Sequence, residues 1–245
     1  LKKDCILNKN FTNLYNKFCP GPLTFILKLR KDSKISKFVT NKKKTLAVRF
    51  PSHPKAKGLL KILNYPLAAP SANISSRVSP VTKNHVKEEF GKKIKYIIEG
   101  GLSKIGLEST IINLTRKPEI LRIGSIDINK LSKALKKKLI YRKKTYMKVP
   151  GQNRLHYSPG IPLRKNCKKA NQDEAFILVK KRNNSNKNFF YLSKNKNLKE
   201  AARNLYSVLR MVKKKGYKKI AVEKIDNKGI GLAINDRLQK ASTKK

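Results

Sequence analysis

Residues 109–123, STIINLTRKPEILRI, decide the architecture. Two apolar runs, 109–114 and 120–123, flank Arg116-Lys117-Pro118, and such a pair around a short polar turn reads as a β-hairpin. Upstream, residues 25–29, 45–48 and 96–98 read as strands, and the apolar run 66–69 as another. Residues 56–63 set Leu59, Leu60 and Leu63 on one helical face, while 83–90 form a second polar helix. Strands and helices therefore alternate without strict βα repetition. The fold class this predicts is α/β in the broad sense, with a twisted α+β sheet domain over residues 1–140.

Downstream of the hairpin, residues 127–140 place Leu131, Leu135 and Leu139 along one side of a lysine-rich helix. The character then changes. Pro150-Gly151, Pro159-Gly160 and Pro162 punctuate a stretch without periodicity, and residues 141–170 are read as a linker. His156-Tyr157 at its centre is unusual for a passive tether, which is normally small and polar. From residue 171 the pattern restarts as strand, strand, helix, strand, helix, predicting a small Rossmann-like α/β domain over 171–245.

Composition narrows the class. Of 245 residues, 39% are hydrophobic, enough for one sizeable core or two smaller ones. No apolar run reaches the roughly 18–20 residues that span a bilayer, and no leader pattern is visible, so no membrane partner and a cytoplasmic location are expected. Cys5, Cys19 and Cys167 are odd in number and lack a CxxC; His53, His85 and His156 form no HExxH. Neither a disulfide framework nor a protein-built metal cage is expected. Sixty Lys and Arg face 14 Asp and Glu, a net charge of +46. Clustered cations would signal nucleic acid. Here lysine is spread over every segment, which favours compositional drift, with weak RNA binding as its consequence.

Four segments carry residues suited to chemistry. Cys19-Pro20-Gly21-Pro22-Leu23-Thr24 is a stiff turn that lets backbone approach a ligand and aims a hydroxyl from Thr24; a plain structural turn explains it as well. Pro70-Ser71-Ala72-Asn73 empties an apolar run into small hydroxyl and amide groups, suited to a phosphate or carboxylate, or simply to a polar loop. Gly106-Leu107-Glu108-Ser109-Thr110 sets compact hydroxyls at a strand start. Arg122 stands in an apolar strand end, and with acids so scarce an anionic ligand becomes a credible partner. Arg49, in AVRFP, repeats that pattern more weakly. No Walker A, GxGxxG or GxSxG sequence is present, and no nucleophile stands beside an obvious base.

In combination, CPGPLT, AVRFP, APSANISSRVSP, GLESTIINL and LRIGSI resemble, in this order, the motifs of the threonylcarbamoyl-AMP synthases, or YrdC-like proteins. The joint PGQNRLHYSPGIPL and the terminal GIGLAINDRLQKAS resemble the linker and C-terminal signature of the family's longer, two-domain members. The resemblance implies an enzyme, a nucleotidyltransferase. It would join L-threonine, bicarbonate and ATP into threonylcarbamoyl-AMP for tRNA modification, with Mg2+ accompanying ATP and a downstream tRNA threonylcarbamoyl transferase receiving the product. Carried over by motif, Thr24, Ser71 and Ser109 would hold threonine. Pro20, Asn73 and Arg122 would border or contact the nucleotide, and Tyr157 would close over ATP. The family usually has Gly at Ser76 and Thr at Val81. Its basic KxR motif precedes CPGPLT and is not found here, so the chain is expected to lack an N-terminal part of the catalytic domain. The competing function is a non-catalytic RNA-binding YrdC-like module. A related carbamoyl transferase is a third reading, against which the linker and terminal signature argue.

Overall fold

The computed structural model describes residues 1–141, 149, 156–184 and 186–242. In chain order its elements are β1 (Cys5–Ile6), α1 (Lys9–Phe18), β2 (Leu23–Leu29), α2 (Lys37–Thr40), β3 (Thr45–Arg49), α3 (Pro54–Ile62) and α4 (Lys83–Phe90). Then come β4 (Thr110–Asn113), β5 (Glu119–Arg122), α5 (Ile128–Leu135), β6 (Leu163–Arg164), β7 (Glu174–Leu178), β8 (Phe189–Tyr191), α6 (Leu198–Lys214), β9 (Lys219–Val222) and α7 (Ile230–Ala241). Contacts gather these into two compact units that do not follow chain order. One comprises Leu1–Ala69 and Glu108–Val149, the other Pro70–Leu107 and Pro150–Lys245. Residues 142–148 and 150–155 of the predicted linker lie outside the described residues.

The first unit is built around β2, whose sequence LTFILKL suits a pleated surface and is buried from Leu23 to Leu27. It pairs antiparallel with β1 and β3 and parallel with β4, which pairs antiparallel with β5. The predicted hairpin is thus present, with an irregular register between Ile111 and Ile112. Side chains alternate across the sheet. On one face Phe25 meets Phe11 of α1 edge-on, at 4.9 Å between ring centroids. Phe11 and Leu14 of α1 and Leu131 and Leu135 of α5 are buried. Asn8 caps α1 by accepting from the Phe11 N–H, and its amide donates to the Leu114 carbonyl at 2.9 Å, tying helix to strand. On the other face Ile26, Ile111 and Leu121 cluster. Each such buried side chain contributes about 1.5–3 kcal/mol.

The second unit carries a wholly parallel sheet, β6-β9-β7-β8. Every residue of β7 is buried, as expected for a strand inside a parallel sheet. The helix α6 buries Ala201, Ala202, Leu205, Leu209 and Val212, the stripe that its period predicts. The Rossmann-like expectation for the C-terminal part is met. To it is added the excursion 70–107 with α4.

Three local expectations are corrected. Residues 66–69 form no strand and are exposed; prolines at 66 and 70 remove donors that a ladder would need. Residues 96–98 form no strand either, and Tyr96 and Ile98 are exposed, because no neighbour among the described residues supplies the hydrogen bonds that stabilise one. The helix expected over 127–140 stops at Leu135, because Lys136 turns left-handed (φ 51°) and returns its N–H to the Ser132 and Lys133 carbonyls. Leu139 nevertheless stays buried.

Candidate functional site

In the first unit, the face of the sheet opposite α1 carries the hydroxyls. Thr24, the second residue of β2, shares a face with Ile26, and Ser109 immediately precedes β4, in register with the same face as Ile111. The parallel pairing of Leu23 with Thr110 brings both strand starts together, and the Thr110 N–H donates to the Pro22 carbonyl at 3.0 Å. Thr24 Oγ1 and Ser109 Oγ are consequently 2.7 Å apart, both buried. Arg122, from the end of β5, reaches the same point. Its Nε donates to the Ser109 carbonyl and its Nη2 to Ser109 Oγ, both at 3.0 Å. Arg122 as a whole is 8% exposed, so its charge acts in a poorly screened environment. One hydroxyl hydrogen is consumed in the Thr24–Ser109 bond, and the other is left for a third, acceptor group.

The surrounding turns exist to bring these atoms close. A Cβ on Gly124 would lie 2.3 Å from the Thr110 nitrogen, so the backbone after Arg122 can fold against β4 only as glycine. The Thr110 hydroxyl closes that corner, donating to and accepting from Ile126. The CPGPLT turn contains a cis Cys19–Pro20 bond, and its Gly21 N–H donates to the Phe50 carbonyl. Pro20 itself is exposed at the mouth of the turn. Burial pushes the Cys19 thiol to about 11, so it is protonated at neutral pH and is no thiolate nucleophile. Arg49 pairs across from Thr24 and donates to the Gly21 carbonyl at 3.4 Å, which supports the turn.

Ser71, Asn73 and Tyr157 belong to the second unit. Ser71 is exposed. The Asn73 amide nitrogen donates back to the Ile74 carbonyl (2.8 Å) and the Arg77 carbonyl (3.3 Å), while its Oδ1 has no hydrogen-bond partner. Ser76 adopts φ 68°, which explains physically why glycine is the family's usual residue there. Val81, the other departure, donates its N–H to His85 Nδ1 at 3.3 Å. Tyr157 is fully buried. Its ring stacks on Tyr206 at 5.7 Å and lies under the Arg237 guanidinium, 5.0 Å from the centroid. The next residue, Ser158, donates its N–H to the Ser76 carbonyl at 2.9 Å, joining the linker to the Asn73 loop.

Thr24, Ser109 and Arg122 are therefore brought together into one hydrogen-bonded network. Sequence reasoning missed Glu89 and Arg210, which bind the Asn73 loop, and Tyr206 and Arg237, which seat Tyr157. No local signal marked them, because the burial of Glu89 against Arg210 arises only from the fold.

Comparison with known proteins gives the class first. The family model Sua5_yciO_yrdC, described as "Telomere recombination", matches residues 1–124, and the "Threonylcarbamoyl-AMP synthase, C-terminal domain" matches residues 122–243. The chain thus has the two-domain arrangement of the Sua5 proteins, and it belongs to the threonylcarbamoyl-AMP synthase family, nucleotidyltransferase-type enzymes of tRNA modification. It is 35% identical to the threonylcarbamoyl-AMP synthase of Pyrococcus abyssi, over 94% of this chain and 72% of that protein. Against that of Schizosaccharomyces pombe the identity is 33%, over 97% and 67%. Among solved structures, the P. abyssi Sua5 complexed with L-threonine superposes with a TM-score of 0.84 at 32% identity, covering 97% of this chain and 75% of that one. No helix among the described residues is long and apolar enough to cross a membrane.

Proposed function

We propose that the chain forms threonylcarbamoyl-AMP and pyrophosphate from L-threonine, bicarbonate and ATP, supplying the adenylate to a tRNA threonylcarbamoyl transferase in the cytoplasm. The observation that carries this reading is the Thr24–Ser109–Arg122 network, a buried pair of hydroxyls beside a fixed cation. Its spare hydroxyl hydrogen suits a threonine carboxylate or hydroxyl oxygen, and Arg122 both orients Ser109 and offsets negative charge near the reacting phosphate.

In the reaction, the threonine amine attacks the bicarbonate carbon, losing a proton and hydroxide as water. The resulting carbamate oxygen attacks the α-phosphate, and the bond to pyrophosphate breaks. No covalent enzyme intermediate is needed, so alignment and charge compensation supply the acceleration. Pro20 would border the nucleotide, Ser71 threonine, and Asn73 the adenylate through its unpaired Oδ1. For Tyr157 to close over ATP it would have to leave its seat between Tyr206 and Arg237. Mg2+ would accompany ATP, held largely by its phosphates and water.

The test is pyrophosphate release by the protein with and without threonine. Release should depend on both threonine and bicarbonate, and Ser109→Ala should raise the threonine KM about tenfold, the worth of one buried hydrogen bond to a charged group. Release indifferent to threonine would sink the proposal.

A further inference from the structure

We infer that Glu89 and Arg210 are positioning residues for the nucleotide loop, through which α6 of the C-terminal Rossmann-like domain sets the turn that carries Asn73. The inference rests on the reading of Asn73 as an ATP contact and adds two residues that do not touch ATP.

Glu89 projects from α4 and its side chain is 4% exposed. One oxygen, Oε1, accepts the Ile74 N–H at 3.1 Å and lies 3.7 Å from Arg77 Nη1. The other, Oε2, accepts from both Nη1 and Nη2 of Arg210 at 3.3 Å. Arg210 Nη2 also donates to the Val78 carbonyl. The peptide plane between Asn73 and Ile74 is therefore held by a carboxylate that is in turn held by α6. The Ile74 and Arg77 carbonyls, to which the Asn73 amide donates, belong to that same turn. Asn73 thus presents Oδ1 in a direction set by the clamp, and Ser76, at φ 68°, is kept in an unfavourable backbone region by the bonds on either side.

The geometry distributes the roles. Glu89 fixes an N–H, which needs an acceptor of the right reach but no charge. Arg210 fixes both Glu89 and the Val78 carbonyl, which needs a planar fork and not a point charge. The two residues are 121 positions apart in the chain, so the clamp exists only when α4 and α6 are packed together.

The experiment uses the full chain carrying Arg210→Met, Arg210→Lys, Glu89→Ala or Glu89→Gln. Amide exchange across residues 72–78 and the KM for ATP in threonine-dependent pyrophosphate release are measured for each. Arg210→Met and Glu89→Ala should speed exchange of the Ile74 amide and raise the ATP KM about tenfold with kcat within about twofold, because one or two hydrogen bonds are lost. Glu89→Gln, which keeps one of the two acceptor oxygens and turns an NH2 towards the other donor, should recover part of the KM, as should Arg210→Lys. An unchanged ATP KM in variants that are merely less stable would overturn the inference. So would unchanged exchange at Ile74. Should Arg210→Met not fold, Glu89→Gln against Arg210→Lys carries the same comparison. If the parent protein released no pyrophosphate, the exchange result would still decide whether the clamp holds the turn, while the functional reading would fall separately.

Discussion

At the scale of single residues, burial governs what the imidazole of His85 does. Its Nδ1 accepts the Val81 N–H, a role open only to the neutral ring, and burial followed by the nearby Arg210 charge lowers its pKa below the ordinary value of 6.5. A base with a depressed pKa in the folded state binds fewer protons there than when unfolded. Its contribution is present above the unfolded value and lost as pH falls through the folded one. We predict that the urea midpoint drops as pH is lowered from 7 towards 5, and that His85→Asn, which keeps an acceptor but cannot titrate, makes the drop shallower. An identical slope in both proteins would refute this. The same scale shows how Tyr157 is held. A lid residue was foreseen, yet the ring is 0% exposed, and truncating it to alanine would open a cavity of the kind that costs about 3–5 kcal/mol. Tyr157→Phe is the substitution that separates packing from any contact made by the hydroxyl.

At the scale of elements, α6 does three jobs: it buries an apolar stripe, bears Arg210, and receives Gly106. A Cβ at Gly106, with φ +76°, would lie 2.5 Å from the Arg203 Cα, so the backbone entering the GLEST segment lies directly on this helix. Its first turn is capped by Asn197, whose side chain accepts from the Lys199 and Glu200 N–H groups. Asn197→Ala should destabilise the protein by about 1 kcal/mol in denaturant melts, while Lys199→Ala, on the exposed side, should stay within about 0.5 kcal/mol. Elements of this kind were legible because their signals are local. The period of Leu198 to Val212 announces α6, and a polar turn between apolar runs announces the β4–β5 hairpin. Residues 66–69 and 96–98 were misread for the complementary reason, since a strand is defined by its neighbour and an apolar run alone names none. Within the site, Thr24 and Ser109 were legible as compact hydroxyls at strand starts, and Arg122 as a cation suited to an anionic ligand. Their mutual hydrogen bonds were not, because they depend on the parallel register of β2 with β4. Glu89 and Arg210 left no local trace at all.

At the scale of the molecule, the charge of +46 sets how the fold responds to its solvent. Among the described residues several ion pairs are exposed, such as Lys219–Asp173 and Lys214–Glu88, and pairs of that sort contribute little. Repulsion among the remaining cations opposes the compact state, and salt screens it over a distance that shrinks from about 30 Å at 0.01 M to about 3 Å at 1 M. Thermal stability should therefore rise with sodium chloride between these limits, in contrast to a protein held by surface ion pairs. A melting temperature that falls with salt would show that the few carboxylates outweigh the many lysines.

The grouping of residues 70–107 with the region beyond residue 150 has a consequence for the order of events during synthesis. A ribosome releases the chain from its beginning, and domains ordinarily fold as they emerge. Here the Asn73 loop and α4 leave the ribosome before α6, so Glu89 meets Arg210 only after translation has passed both. Until then the excursion has no helix to lie on, and its exposed apolar residues are available to chaperones or to wrong partners. Expressing the two matched family regions as separate polypeptides would cut this unit in two, and neither half would carry a finished Asn73 loop.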